Sequence, residues 1–142
     1  MIVDERLVTY INSLDTGNTS ILDQIEQEAL DSYVPIIRKE RQQFLKLLLA
    51  MKRPMRILEV GTAVGFSAIL MADRVHEITT IENYEKRIPI AKENFIRAGK
   101  EKQIMLLEGD AAQILPTLTE TYDFIFMDAA KGQYIHFMPD IL

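Results

Sequence analysis

The 142-residue chain has no cysteine. That excludes disulfide bracing and thiolate chemistry, and it fits the reducing cytoplasm, the location expected for this protein. No long apolar run is present either. The greasiest stretch, Phe44 to Met51, is interrupted by Lys46 and closed by Lys52 and Arg53, far short of the roughly 20 residues a bilayer crossing needs. Asp4, Glu5 and Arg6 come within the first six residues, so the start does not read as an export signal and no membrane partner is expected. Repeats, low-complexity tracts and long linkers are missing as well. What remains, 48% hydrophobic and 26% charged, fits one globular domain over residues 1–142 with a real core.

Charge is unevenly placed. Residues 1–37 carry seven acidic and one basic side chain, residues 38–56 one acidic and seven basic, and residues 57–142 thirteen acidic and eight basic. The middle block, Arg38, Lys39, Arg41, Lys46, Lys52, Arg53 and Arg56, reads either as a local positive patch for nucleic acid or as the solvated face of an amphipathic helix.

Periodicity predicts helices at Val3 to Leu14, at Ile21 to Tyr33 after a capping-box-like Ser20-x-x-Asp23, and at Pro35 to Met51 with proline in its first turn. Residues 1–53 thus read as a helical lid region. Strands are expected at Arg56 to Val60, Glu77 to Ile81, Gln103 to Leu107 and Tyr122 to Met127, alternating with helical patterns at Ser67 to Val75, Tyr84 to Ala98 and Ala111 to Leu118. Pro89 places the regular part of the middle pattern at Pro89 to Ala98, and Gly99 ends it. Strands alternating with helices mean an α/β fold: a doubly wound, parallel, Rossmann-like sheet over residues 54–142. Ile104, Leu106, Ile125 and Met127 are expected in the core.

The stretch Ile57-Leu58-Glu59-Val60-Gly61-Thr62-Ala63-Val64-Gly65-Phe66-Ser67 runs an apolar strand into a glycine-punctuated turn and a helix. Such a turn brings main chain close to a ligand and offers it the free N–H groups of the helix start. Glu82 closes the next strand about twenty residues beyond the glycines, where a nucleotide-binding unit places the carboxylate that grips ribose hydroxyls. The spacing is Glu-x-Gly-x-x-x-Gly, and Glu59 suits a positively charged sulfonium better than a pyrophosphate, so S-adenosylmethionine is favoured over a dinucleotide. A purely structural tight turn is the alternative.

Asp110, just after the third strand, stands at the same sheet edge, either reading an adenine amino group or capping the helix that begins at Ala111. Asp128 and Lys131 follow the fourth strand. An aspartate there can bind a hard divalent ion such as Mg²⁺ with the lysine reaching the same space, or the two form an ordinary capping and surface pair.

Four segments together resemble the class I, metal-dependent O-methyltransferases, which include the catechol and caffeoyl-coenzyme A O-methyltransferases: Val34-Pro35-Ile36-Ile37, Ile57 to Ser67, Thr80-Ile81-Glu82, and Phe126-Met127-Asp128-Ala129-Ala130-Lys131-Gly132-Gln133-Tyr134. Their particular form looks closest to the bacterial tRNA 5-hydroxyuridine methyltransferases. The resemblance implies Glu59, Gly61, Gly65 and Ser67 around the methionine part of S-adenosylmethionine, Glu82 on its ribose, Asp110 and Ala111 near its adenine, and Ile37 covering it from the lid. It implies Asp128 as a metal and cofactor ligand and Lys131 as the base near the acceptor oxygen. A divalent ion held by two adjacent substrate oxygens lowers the pKa of the hydroxyl, which Lys131 then deprotonates. Both 5-hydroxyuridine in an unpaired position of tRNA and a small catechol offer such oxygens.

The resemblance also implies three further strands and an Asp-Asn pair that this sequence lacks after Leu142. The 142-residue chain alone is therefore expected to bind cofactor weakly and turn over little. The apolar Tyr122 to Met127 strand is expected to be an edge, which favours self-association into a homo-oligomer such as a dimer. Two readings from other classes stay open: a non-catalytic cofactor-binding fragment, and a nicotinamide dehydrogenase, which the loop spacing disfavours.

Overall fold

The computed structural model describes residues 5–7, 9 and 17–127. Of the helix expected at Val3 to Leu14, the described residues 5–7 and 9 are helical, and the Thr9 hydroxyl donates to the Glu5 carbonyl at 2.9 Å. The remaining elements are α1 (Ser20–Asp31), α2 (Lys39–Lys52), β1 (Arg56–Val60), α3 (Phe66–Ala72), β2 (Glu77–Glu82), α4 (Ile88–Arg97), β3 (Ile104–Glu108), α5 (Ala111–Ile114) with a 3₁₀ turn at Leu115–Thr117, and β4 (Phe124–Met127).

The strands form one parallel sheet in the order β3-β2-β1-β4. β1 is central, with Val60 opposite Ile81 on one side and Met127 on the other. The chain winds outward from β1 through β2 to β3 and then returns to the far side of β1. That reversal leaves a crevice at the carboxyl end of β1, where open α/β sheets bind ligands. The expected fold class stands.

Two apolar layers sandwich the sheet, because successive side chains of a strand point to opposite faces. Ile57, Ile78 and Ile104 face the larger layer, built from α1, α2, α3 and α4, while Leu58, Val60 and Ile81 face Ala111 and Leu115. α3 lies between the N-terminal helices and β2, and all seven of its residues are buried. Each fully buried side chain of the size of Phe66, Leu70 or Met71 contributes about 1.5–3 kcal/mol.

Several boundaries differ from those expected. The N-cap of α1 is Thr19, whose hydroxyl accepts from the Leu22 amide at 3.3 Å, so Ser20 is already helical. α1 ends at Asp31: the Ser32 amide donates to the Glu28 carbonyl and the Val34 amide to Ala29, with Tyr33 at φ 57°. This left-handed exit launches Val34 to Ile37 as an extended strap, and α2 begins only at Lys39. Pro35 therefore precedes the helix rather than opening it; a proline holds the residue before it in extended backbone. α3 stops at Ala72, and Pro116 tightens the end of α5 into the 3₁₀ turn. Among the described residues β4 is an edge strand, as expected, but Ile125 is exposed rather than core and Leu106 and Met127 are half-buried.

β4 starts at Phe124 because Asp123 is occupied elsewhere. Its carboxylate accepts from the Met55 amide at 2.8 Å and the Arg56 amide at 2.9 Å, clamping the start of β1. Those two backbone donors hold the Asp123 pKa below its ordinary 3.8. A depressed folded-state pKa contributes stability above the unfolded value, and that contribution disappears as pH falls through the folded one. Asp123→Ala should thus lose up to about 1 kcal/mol at pH 7, modest because the site is exposed. Paired urea titrations should show wild type and variant converging toward pH 3; a gap unchanged by acid would refute this account of the clamp.

Candidate cofactor-binding site

The loop from β1 to α3 packs three left-handed residues into five positions: Gly61 at φ 99°, Ala63 at 50° and Gly65 at 89°. Gly61 continues the sheet by donating to the Ile81 carbonyl at 2.9 Å, and the Gly65 amide closes a turn onto the Thr62 carbonyl at 2.9 Å. Gly65 is required twice over. Its φ is costly for other residues, and a Cβ there would stand 2.6 Å from the Phe95 ring. The carbonyl between them, that of Val64, accepts from the buried Asn94 side chain of α4 at 2.8 Å. Arg97 orients that amide by donating to the Asn94 Oδ1 at 3.0 Å, and is itself held by two bonds to Glu28 of α1, at 2.9 and 3.1 Å. The pairing lowers the Glu28 pKa and raises that of Arg97, chiefly through the shared hydrogen bonds.

Beneath the loop lies Glu59, fully buried at 0% exposure. It accepts from the Thr80 hydroxyl of β2 at 2.6 Å and from the Ser67 hydroxyl of α3. The Thr80 proton being committed to Glu59, the 2.6 Å contact between the Thr62 and Thr80 hydroxyls has Thr62 as donor. A buried carboxylate is tolerable only when so satisfied. Glu59 therefore braces the loop from below, and it is not among the residues that line the cavity above.

Above the loop is a cavity of about 560 Å³, within the range of cofactor pockets. Pro35, Ile36 and Ile37 of the strap form one wall, Gly61 to Val64 with Phe66 and Ser67 another, and Glu82 to Tyr84 with Gly109 to Ala111 the far side. Six of the expected cofactor residues, Ile37, Gly61, Ser67, Glu82, Asp110 and Ala111, are thus brought together around one space. Gly65 shapes the loop without lining the cavity. The Glu82 carboxylate points into the bend, accepting from the Ala63 amide at 2.6 Å and from the Asn83 and Tyr84 amides at 3.0 Å each. Asp110 caps α5 through the Ala112 amide at 3.0 Å while also lining the cavity, so the cap and the binding role are compatible.

Other residues escaped the sequence reading. Arg87 lines the cavity with its guanidinium 5.0 Å above the Tyr84 ring. Asn94 carried no signal, since a polar residue in a helical pattern reads as surface. The basic block does not form one patch: Arg56 pairs with Glu77 at 3.0 Å and Lys46 donates to Asn18 at 2.6 Å, whereas Arg38 and Arg41 are exposed beside the strap and Lys52 and Arg53 at the opposite end of α2. Asp128 and Lys131 lie outside the described residues. Among the described residues no group of three or more His, Cys, Asp or Glu can hold a metal ion.

A family model described as O-methyltransferase matches residues 12–142. The chain belongs to that family. It is 36% identical over 102 residues to a catechol O-methyltransferase of Niastella koreensis, covering 67% of this chain and 46% of that protein. It is 34% identical over 108 residues to caffeoyl-CoA O-methyltransferase 2 of Populus trichocarpa, covering 67% and 42%. The chain thus spans less than half the length of these curated relatives. Among solved structures, the O-methyltransferase from Bacillus cereus in complex with SAH superposes with a TM-score of 0.82 at 26% identity, over 95% of this chain and 66% of that one. TomG of Streptomyces achromogenes, an O-methyltransferase in complex with SAM, gives 0.81 at 26%, over 99% and 68%. No helix among the described residues of this family member is long and apolar enough to cross a membrane.

Gly65→Ala tests the loop. The new methyl must displace the Phe95 ring from a packed core, so thermal or urea unfolding should show a loss of about 2 kcal/mol or more. A variant as stable as wild type would mean that the loop is not braced as described.

Proposed function

We propose that the protein binds S-adenosylmethionine in this cavity and transfers its methyl group to an acceptor hydroxyl. The observation that carries the reading is Glu82: a carboxylate at the tip of β2, aimed into a glycine-lined bend at the sheet's reversal point. Three backbone amides fix its orientation in advance, and a carboxylate has about four acceptor sites. The remaining acceptor site is free to take a ribose hydroxyl. Apolar Ile36, Ile37 and Ala111 enclose the adenosine and methionine skeleton, and exclude water from a sulfonium whose charge drives the displacement. The chemistry is then alignment of acceptor oxygen, methyl carbon and sulfur, with opposite charges cancelling as the bond forms.

Asp128 and Lys131 supply the acceptor side in this proposal, on the strength of the resemblance of their segment. A bound divalent ion such as Mg²⁺ would lower the pKa of a hydroxyl that has a neighbouring oxygen. The names of the matched relatives favour a small catechol-like acceptor. A second reading, 5-hydroxyuridine in tRNA, is favoured by the exposed Arg38 and Arg41 beside the strap. Calorimetric titration with SAH and NADH should show binding of SAH alone, weakened at least tenfold by Glu82→Ala; NADH binding in its place would refute the proposal. Methyl incorporation into a catechol and into hydroxyuridine-containing tRNA, measured in parallel, separates the acceptors. Arg38→Glu with Arg41→Glu should suppress only methylation of tRNA, and the gap from wild type should narrow as salt rises.

A further inference from the structure

Beyond the apolar packing of Val34, Ile36 and Ile37 on the core, few hydrogen bonds hold the strap over the cavity. Val34 donates to the end of α1, and beyond it Pro35 has no amide hydrogen to give. The Ile37 carbonyl, however, accepts at 2.9 Å from the side-chain amide of Gln42, one turn into α2. Gln42 is 1% exposed, and each of its side-chain groups is engaged: the same nitrogen donates to Glu26 of α1 at 2.9 Å, and its oxygen accepts from Asn18 at 3.2 Å. Asn18 in turn accepts from Lys46, one turn further along α2. A part-buried polar cluster at the junction of α1, α2 and the preceding loop, with buried Gln42 at its centre, therefore ends on a carbonyl of the cavity wall. Ile37 itself is buried against the core while lining the cavity, so its peptide cannot shift without moving that wall.

We infer that Gln42 is a positioning residue: its amide pins the Ile37 carbonyl and so keeps the Pro35-to-Ile37 strap closed over the bound cofactor, governing how fast the cofactor leaves. This rests on the cofactor reading above. A tether of a covering segment acts on escape more than on encounter, because the cavity must open before a ligand leaves and the tether resists that opening.

The test uses the intact protein, SAH as probe, and surface plasmon resonance to separate the two rates. Gln42→Met keeps length and helix propensity but removes both donors. It should speed SAH dissociation about tenfold, the effect of one net hydrogen bond, with association within about twofold. Gln42→Glu combined with Glu26→Gln restores a donor–acceptor pair between α1 and α2 but leaves Ile37 facing an acceptor. Its melting temperature should return toward wild type while SAH still leaves fast, with hydrogen exchange at the Ile36 and Ile37 amides raised and that at Val64 and Gly65 unchanged. Should the double variant recover the wild-type dissociation rate, Gln42 is only a tie between helices and the inference is overturned; an unaltered rate in Gln42→Met does the same. If Gln42→Met does not fold, the double variant decides alone. Wild type that binds no SAH is a different failure, that of the cofactor reading itself.

Discussion

A single buried carboxylate sets the terms on which the rest of this molecule folds. Glu59 stands on the central strand, on the face otherwise occupied by Ile57, Ile78 and α3, where an unsatisfied charge would cost several kcal/mol. It is tolerated because hydroxyls from β2 and α3 converge on it, which means that strand, neighbour and helix must all be in place together. An apolar residue at position 59 would pack without that condition. The carboxylate thus exchanges bulk stability for a fixed relation between β1, Thr80 and the first turn of α3, which is the relation that opens the cavity above them.

The bracing of the loop comes from several directions. From below, Glu59 and Thr62 tie it to β2; from the side, Asn94 holds the Val64 carbonyl; from α1, Glu28 reaches Asn94 through Arg97. Backbone in the left-handed region at Ala63 costs about 1 kcal/mol and persists only where surroundings impose it. Ala63 donates its amide to Glu82, so the strained residue and the acid at the tip of β2 position each other.

Much of this arrangement was legible in the sequence. The bounds of β1 were read as they stand because an apolar run between Arg56 and Gly61 admits no other register, and Glu82 was placed from its distance to the glycines alone. The misreadings share a cause. Pro35 to Ile37 was absorbed into α2 because its apolar spacing suits a helix as well as a strap, and only the contacts across the cavity decide between them. The hydroxyls of Thr80 and Ser67 that hold Glu59 were not foreseen, since sequence gives proximity along the chain, not the direction in which a side chain points. Asn94 and Gln42 gave no sign, because a polar residue inside an amphipathic pattern reads as solvent-facing until its partners on other helices are known. The basic block divided for the same reason: Glu77 and Asn18, distant in sequence, neutralise or occupy two of its members.

The clamp of Asp123 on Met55 and Arg56 spans 68 and 67 residues, and the outer partner of β1 comes from the same late segment. β2 and β3 can pair with their neighbours across short crossovers soon after they leave the ribosome. The middle strand cannot be enclosed on both sides until residue 127 has emerged, so its open flank is exposed throughout that stretch of synthesis. High contact order of this kind slows folding, and it leaves β1 open on one flank well after its first neighbour has paired.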